Sequence, residues 1–156
     1  MKRAKRLMFV ALMLTLCASI AMAKPNFSGE WKMNPSKSDF GMMPAPTSMV
    51  QKVTHNDPEL KVVITRVGEQ GEITSNSTYT TDGKECINKG RMGEIKSTLK
   101  WEGDTLVIES KADFGGNPVT ITNKWTLSED GKTLTINGHF SSTQGEGDSK
   151  TVLEKQ

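Results

Sequence analysis

Few residues in this chain could carry chemistry. His55 and His139 are its only histidines, and Cys17 and Cys86 its only cysteines. A zinc site assembles most readily from closely spaced ligands, yet neither His-x-His nor His-Glu-x-x-His occurs. His55 precedes Asn56-Asp57-Pro58, a hairpin end; His139 shares an outward strand face with Asn137 and Ser141. The Gly-x-Ser-x-Gly elbow of serine hydrolases is missing, as is a glycine-rich phosphate loop opening a helix. Gln144-Gly145-Glu146-Gly147-Asp148 lacks the Asp-x-Asp spacing and length of a calcium loop and reads as a flexible hairpin connection. A nucleophilic cysteine needs a base and a stabilised thiolate. Cys86 has Gly90 and Arg91 near it in sequence and no His, so it reads as a small buried hydrophobe. The expectation is a protein that is not an enzyme, with no metal and no cofactor.

Charge is distributed unevenly. The chain holds 20 Lys and Arg against 18 Asp and Glu. Four of those cations (Lys2, Arg3, Lys5 and Arg6) lie in residues 1–23, which contain no acid; the rest of the chain therefore carries 16 cations against 18 acids. A phosphate-binding face is basic, so no nucleic-acid partner is expected. The basic start, an apolar stretch over residues 7–16 and the small-residue site Ala21-Met22-Ala23 read as a secretory signal peptide over residues 1–23. The apolar part is short for a retained anchor. Leu16 stands where a lipoprotein has a small residue before its acylated cysteine, which disfavours a lipid on Cys17. The expected product is an exported domain over residues 24–156, periplasmic or secreted, with no membrane span after leader removal. It is expected to be monomeric.

The elements that must position any site are strands. Alternating segments at 29–33, 49–55, 60–67, 72–80, 85–89, 94–101, 105–114, 119–127, 133–141 and 149–155 are separated by turn signals such as Thr81-Asp82-Gly83-Lys84 and Gly115-Gly116-Asn117-Pro118. β-Branched residues fill the segments, and 16 of the 17 Thr follow the leader region. No sustained helical stripe appears. Short connections throughout imply an all-β, antiparallel up-and-down meander. Closing about ten strands into one barrel removes the long edges that an open sandwich would leave.

One face of each strand is apolar: Leu60, Val62 and Ile64; Leu106, Ile108, Ala112 and Phe114; Val119, Ile121, Trp125 and Leu127; Leu134, Ile136 and Phe140. The other faces are polar, which suits a barrel in water; the few aromatics do not make the two girdles of a membrane barrel. Polar residues nonetheless interrupt the inward face. Ser77 and Tyr79 follow Ile73, Ser97 sits between Ile95 and Leu99, Ser110 lies between Ile108 and Ala112, Asn123 lies between Ile121 and Trp125, and Arg66 continues the Leu60 face. A packed core disfavours unpaired buried polar groups by about 1–3 kcal/mol each, whereas a water-containing cavity tolerates them. Arg66, Ser77, Tyr79, Ser97, Ser110, Asn123 and Trp125 are accordingly the expected ligand-binding lining. Mutual pairing of the small polar residues, and escape of the Arg66 side chain through the barrel mouth, are the alternatives.

Asn26-Phe27-Ser28-Gly29-Glu30-Trp31-Lys32-Met33 opens the domain, and Gly103-Asp104-Thr105-Leu106-Val107-Ile108 and Lys150-Thr151-Val152-Leu153-Glu154-Lys155 lie towards its end. This layout resembles the calycins, the superfamily of lipocalins and intracellular fatty-acid-binding proteins. It also resembles exported lipocalin-like bacterial proteins. The resemblance implies a lipocalin-like barrel in which Gly29 permits close packing and Trp31 plugs one barrel end. Two departures are visible. The region 34–48 contains Pro35, Gly41, Pro44 and Pro46, which resists the helical lid of fatty-acid-binding proteins. Thr151-Val152-Leu153 lacks their Arg-x-Tyr carboxylate anchor, and only Lys150 or Lys155 could stand in for the lipocalin arginine across from the tryptophan.

Two functions fit. The first is a binding protein for a small apolar or amphipathic molecule held in the barrel. The second is a non-catalytic envelope interaction module, an inhibitor or scaffold without a ligand cavity. Met42-Met43-Pro44-Ala45-Pro46 serves either reading, as an adaptable contact surface or as a lid.

Overall fold

A computed structural model describes residues 23–91 and 93–156. The expected leader, with Cys17, lies outside the described residues apart from Ala23. The strands are β1 (Gly29–Met33), β2 (Ser48–Asn56), β3 (Glu59–Gly68), β4 (Gly71–Thr80), β5 (Glu85–Gly90), β6 (Gly93–Glu102), β7 (Thr105–Asp113), β8 (Pro118–Leu127), β9 (Thr133–Ser142) and β10 (Gly145–Lys155). They form one antiparallel sheet in the order β4-β3-β2-β1-β10-β9-β8-β7-β6-β5. The first and last strands meet, with Trp31 opposite Lys155 and Met33 opposite Leu153. The sheet rolls into a nearly closed barrel, as the short connections imply. No helix among the described residues is long and apolar enough to cross a membrane.

The barrel closes at a seam. β4 and β5 lie side by side at the two ends of the sheet without a backbone ladder between them. Side chains replace that ladder. Asn88 Oδ1 accepts from the Thr78 N–H at 2.8 Å, and Asn88 Nδ2 donates to the Thr78 carbonyl at 3.1 Å. An amide side chain carries the same donor and acceptor pair as a peptide unit, so Asn88 acts as a substitute strand residue. Cys86 Sγ takes the Thr80 N–H at 3.2 Å. The thiol is only half-buried and serves the seam as a weak hydrogen-bonding group, which departs from its reading as a small buried hydrophobe. Asn88→Ala is expected to lower stability by about 1 kcal/mol, the scale of an exposed neutral hydrogen bond. The specific sign is faster hydrogen exchange at the Thr78 amide; unchanged exchange there would show that the clasp does not hold the seam.

Period-two alternation sets the interior. Phe27, Trp31, Leu60, Val62, Leu99, Leu106, Ile108, Trp125, Leu134 and Leu153 form the buried core, with Ile64, Tyr79, Trp101 and Ile136 packed against it. The stretch Gly145–Asp148 differs from expectation. It is not a loose connection but the first part of β10, with Gly147 paired to Phe140 and Asp148 to His139. Gly147 belongs there because a Cβ on it would sit 2.7 Å from the Phe140 ring; the bare backbone lets that ring lie across the strand.

The segment between β1 and β2 contains only a 3-10 turn, Pro35–Lys37, as its prolines dictate. It then runs as a strap tied at both ends. Asp39 and Lys150 exchange backbone hydrogen bonds at 2.6 and 2.7 Å, and the Thr47 N–H donates to the Val67 carbonyl at 2.8 Å. Gly41 passes close to β10, at φ +56°, and a Cβ on it would clash with the Asp148 carbonyl oxygen. The strap thus crosses one barrel mouth from β10 to β3.

Candidate functional site

One end of the barrel is sealed by aromatic rings. Phe27, His55 and Trp101 cluster as three mutually contacting rings, with centroids 5.8, 5.9 and 6.1 Å apart, and Phe27 meets Trp125 edge-on at 5.6 Å. Trp31 is fully buried and donates Nε1–H to the Phe27 carbonyl at 2.9 Å. Lys155 holds its ammonium 5.3 Å from the centre of the Trp31 ring, a cation–π contact, so of the two lysines that could cover this tryptophan it is Lys155 that does. Gly29 has φ +145°, and a Cβ there would sit 2.9 Å from Lys155 Cε. The Gly-x-Trp pair therefore has a local cause: the glycine clears the path that the lysine stem takes over the indole. His55 is buried in this plug, its Nδ1 accepting the Phe27 N–H at 3.3 Å. His139, by contrast, points outward and pairs with Asp148 at 2.8 Å across the β9–β10 ladder.

Above the plug the barrel opens into a cavity of about 720 Å³ beneath the strap. Ligand sites usually span about 300–1,000 Å³, and this one has room for roughly two dozen waters. Register places its β8–β9–β10 wall in levels. Ile121, Phe140 and Gly147 lie in one row, Asn123, Gly138 and Ser149 in the next, and Trp125, Ile136 and Thr151 below them. The facing wall offers Met49 beside Arg66 and Gln51 beside Ile64. The middle row is polar, and its flanking side chains close over the residue at its centre. Gly138 has no side chain, and a Cβ there would lie 2.6 Å from Ser149 Oγ and 3.0 Å from Asn123 Oδ1. The site is thus a largely apolar chamber with a band of small neutral hydrogen-bonding groups and, at its mouth, one cation, with Glu69 and Gln70 of the β3–β4 turn.

That cation is Arg66. Its Nε–H reaches Met49 Sδ at 3.2 Å, a weak acceptor, and among the described residues no carboxylate lies within 4.0 Å of it. The side chain is exposed to water while it borders the chamber, so its guanidinium sits at the barrel mouth, as the expected escape of this side chain through the mouth would place it. Desolvation pulls its pKa below the ordinary value, but a guanidinium remains cationic.

Of the expected lining, the structure brings Arg66, Asn123 and Trp125 to the cavity. Ser77, Tyr79, Ser97 and Ser110 are not among its walls. Ser97 and Ser110 face inward but satisfy one another, Oγ to Oγ at 2.8 Å, on the β6–β7 side. Tyr79 packs against the core beside Leu60, where burial pushes its phenol pKa up, and Ser77 is half-buried beside it opposite Val62. The polar residues that do line the chamber include Gln51, Ser149 and Thr151, which lay outside the expected set. Their signal was available: Met49-x-Gln51-x-Val53 and Ser149-x-Thr151-x-Leu153 alternate like the other inward faces.

No protein-family model matches the chain, and no curated protein matches it in sequence. Solved structures do match. Zebrafish ileal bile acid-binding protein, complexed with cholic acid, is similar with a TM-score of 0.58 at 16% identity, over 83% of this chain and 98% of that one. A secretory abundant heat soluble protein from Ramazzottius varieornatus gives 0.59 at 12%, over 83% and 94%. A fatty acid-binding protein from the brain of Drosophila melanogaster gives 0.54 at 18%, over 83% and 99%. Strand number, strand order, the plugged end and these likenesses together identify the architecture: the chain has the calycin fold.

Proposed function

We propose that this protein binds one small apolar or amphipathic molecule in the barrel, without catalysis. The observation that carries the reading is the chamber itself. Its apolar wall comprises Met49, Ile64, Ile121, Trp125, Ile136 and Phe140, and its polar groups are a minority, with the charged residues Arg66 and Glu69 at the mouth. Such a lining rewards apolar burial, at about 25 cal/mol per Å², and leaves orientation to the polar few. Similar barrels named for bile acids and fatty acids support the reading. The basic, apolar, Ala-x-Ala start of the chain supports export to the periplasm or medium, which N-terminal sequencing of the mature protein tests: Lys24 first supports cleavage, and an intact Met1 contradicts it.

Arg66 is the charge contact of this site, so an anionic amphiphile should favour it. Displacement of a fluorescent probe by laurate and by 1-dodecanol tests the assignment. Arg66→Leu should weaken laurate by about tenfold, a discounted value for a hydrogen bond to a charged group open to water, and leave dodecanol within twofold. Equal effects on both would remove Arg66 from the site and leave a pocket selected by shape.

The alternative, an envelope interaction module, draws on one observation: Met42 is 77% exposed on the strap. A pull-down from envelope extract with wild type and Met42→Ser addresses it. Five other strap residues, Phe40, Met43, Pro44, Ala45 and Pro46, border the chamber, which favours the lid role.

A further inference from the structure

Gln51 is 1% exposed, lines the chamber, and has no hydrogen-bond partner for Nε2 among the described residues. A buried amide with nothing to donate to is unusual, because the cost of desolvation is not recovered. Apolar packing alone would be served better by Leu or Met at this position, flanked as it is by Ile64 on β3 and Trp31 on β1. The terminal amide torsion is soft, so a rotation turns the N–H groups towards the adjoining space without moving the stem. Gln51 also lies one inward position deeper than Met49, which pairs with Arg66. Beside the Asn123–Ser149 band, the β2–β3 wall therefore offers polar contacts at two depths, a neutral amide inside and a cation nearer the mouth.

Resting on the reading that the chamber holds a ligand, we propose that Gln51 is its inner anchor and that the ligand's buried end carries a neutral hydrogen-bond acceptor, a carbonyl or ester oxygen, seated in an apolar body. A carboxylate at that depth would be desolvated without a cation beside it, which is costly. A ketone or ester oxygen loses little on leaving water and gains the waiting N–H. Any charge on the ligand belongs at the other end, towards Arg66.

Hexanophenone and hexylbenzene share a skeleton and differ by one carbonyl. Both are measured by displacement of an anilinonaphthalene sulfonate from wild type, Gln51→Leu and Gln51→Met. Wild type should prefer the ketone by about three- to tenfold, the scale of one neutral hydrogen bond. Both variants should lose that preference, with hexylbenzene unchanged or tighter. The ketone C=O stretch should move to lower wavenumber in the wild-type complex and return in the variants. Using two apolar replacements of similar volume keeps one folded variant in hand. A preference and a stretch that survive both substitutions overturn the Gln51 anchor while the chamber stands. If neither compound nor probe binds wild type, the chamber reading falls and the anchor falls with it.

Discussion

Trp31→Ala is expected to lower the free energy of unfolding by about 3–5 kcal/mol, the range for deleting a buried large aromatic. The indole is completely inaccessible to solvent, and its neighbours are poorly placed to fill the space it leaves. Phe27 is held against His55 and Trp101 in a three-ring cluster, and its carbonyl loses the hydrogen bond given to it by Trp31 Nε1. Lys155 loses the ring face it covers, although that exposed contact contributes little. Because Trp31 sits where β1 joins β2 to β10, the loss also weakens the ladder that closes the first strand against the last. Urea unfolding, with the midpoint and slope fitted separately, measures the effect. A change within about 0.5 kcal/mol, the range of ordinary surface substitutions, would place the indole outside the plug and contradict the packing described above. Lys155→Ala provides the scale: it removes the cation and should cost well under half as much.

The contrast between plug and chamber shows what a sequence of this kind discloses. The strands, their turns and their inward faces were legible because a half-buried antiparallel strand writes its geometry at period two. Leu60, Val62 and Ile64 face inward for that reason and no other. Alternation gives the face but not the depth. Ser97 and Asn123 look alike in sequence, each a small polar residue between apolar ones; one closes on Ser110, and the other opens to the chamber. Which outcome holds depends on the stagger between neighbouring strands and on which walls draw together, and both are properties of the closed barrel. Gly138 was equally silent. A strand glycine can mark a bulge, a bend or a close approach. Only the register, which sets it between Asn123 and Ser149, shows that its missing side chain makes room for theirs.

That glycine yields the second large effect. Gly138→Leu should weaken binding of any chamber-sized amphiphile by at least about a hundredfold. The substituted side chain would project from the middle row into the volume that the ligand needs, bounded by Ile121, Ile136 and Trp125. Excluding about 120 Å² of ligand surface from burial at about 25 cal/mol per Å² forfeits about 3 kcal/mol, more than two powers of ten in affinity. Gly138→Ala separates occupancy from local strain. Both substitutions place a Cβ at 2.6 Å from Ser149 Oγ and 3.0 Å from Asn123 Oδ1, so both displace those side chains and cost stability, on the scale of about 1–3 kcal/mol for overpacking. Only leucine fills the chamber. Alanine should therefore lose stability with a modest change in affinity, and leucine should lose affinity far beyond its further loss of stability. The comparison is made by titrating laurate and 1-dodecanol into each variant, alongside urea unfolding of the same preparations. Equal affinities for the two variants would mean that the ligand does not use the space in front of Gly138. The binding site would then have to be sought at the strap's outer face, where Met42 reaches solvent.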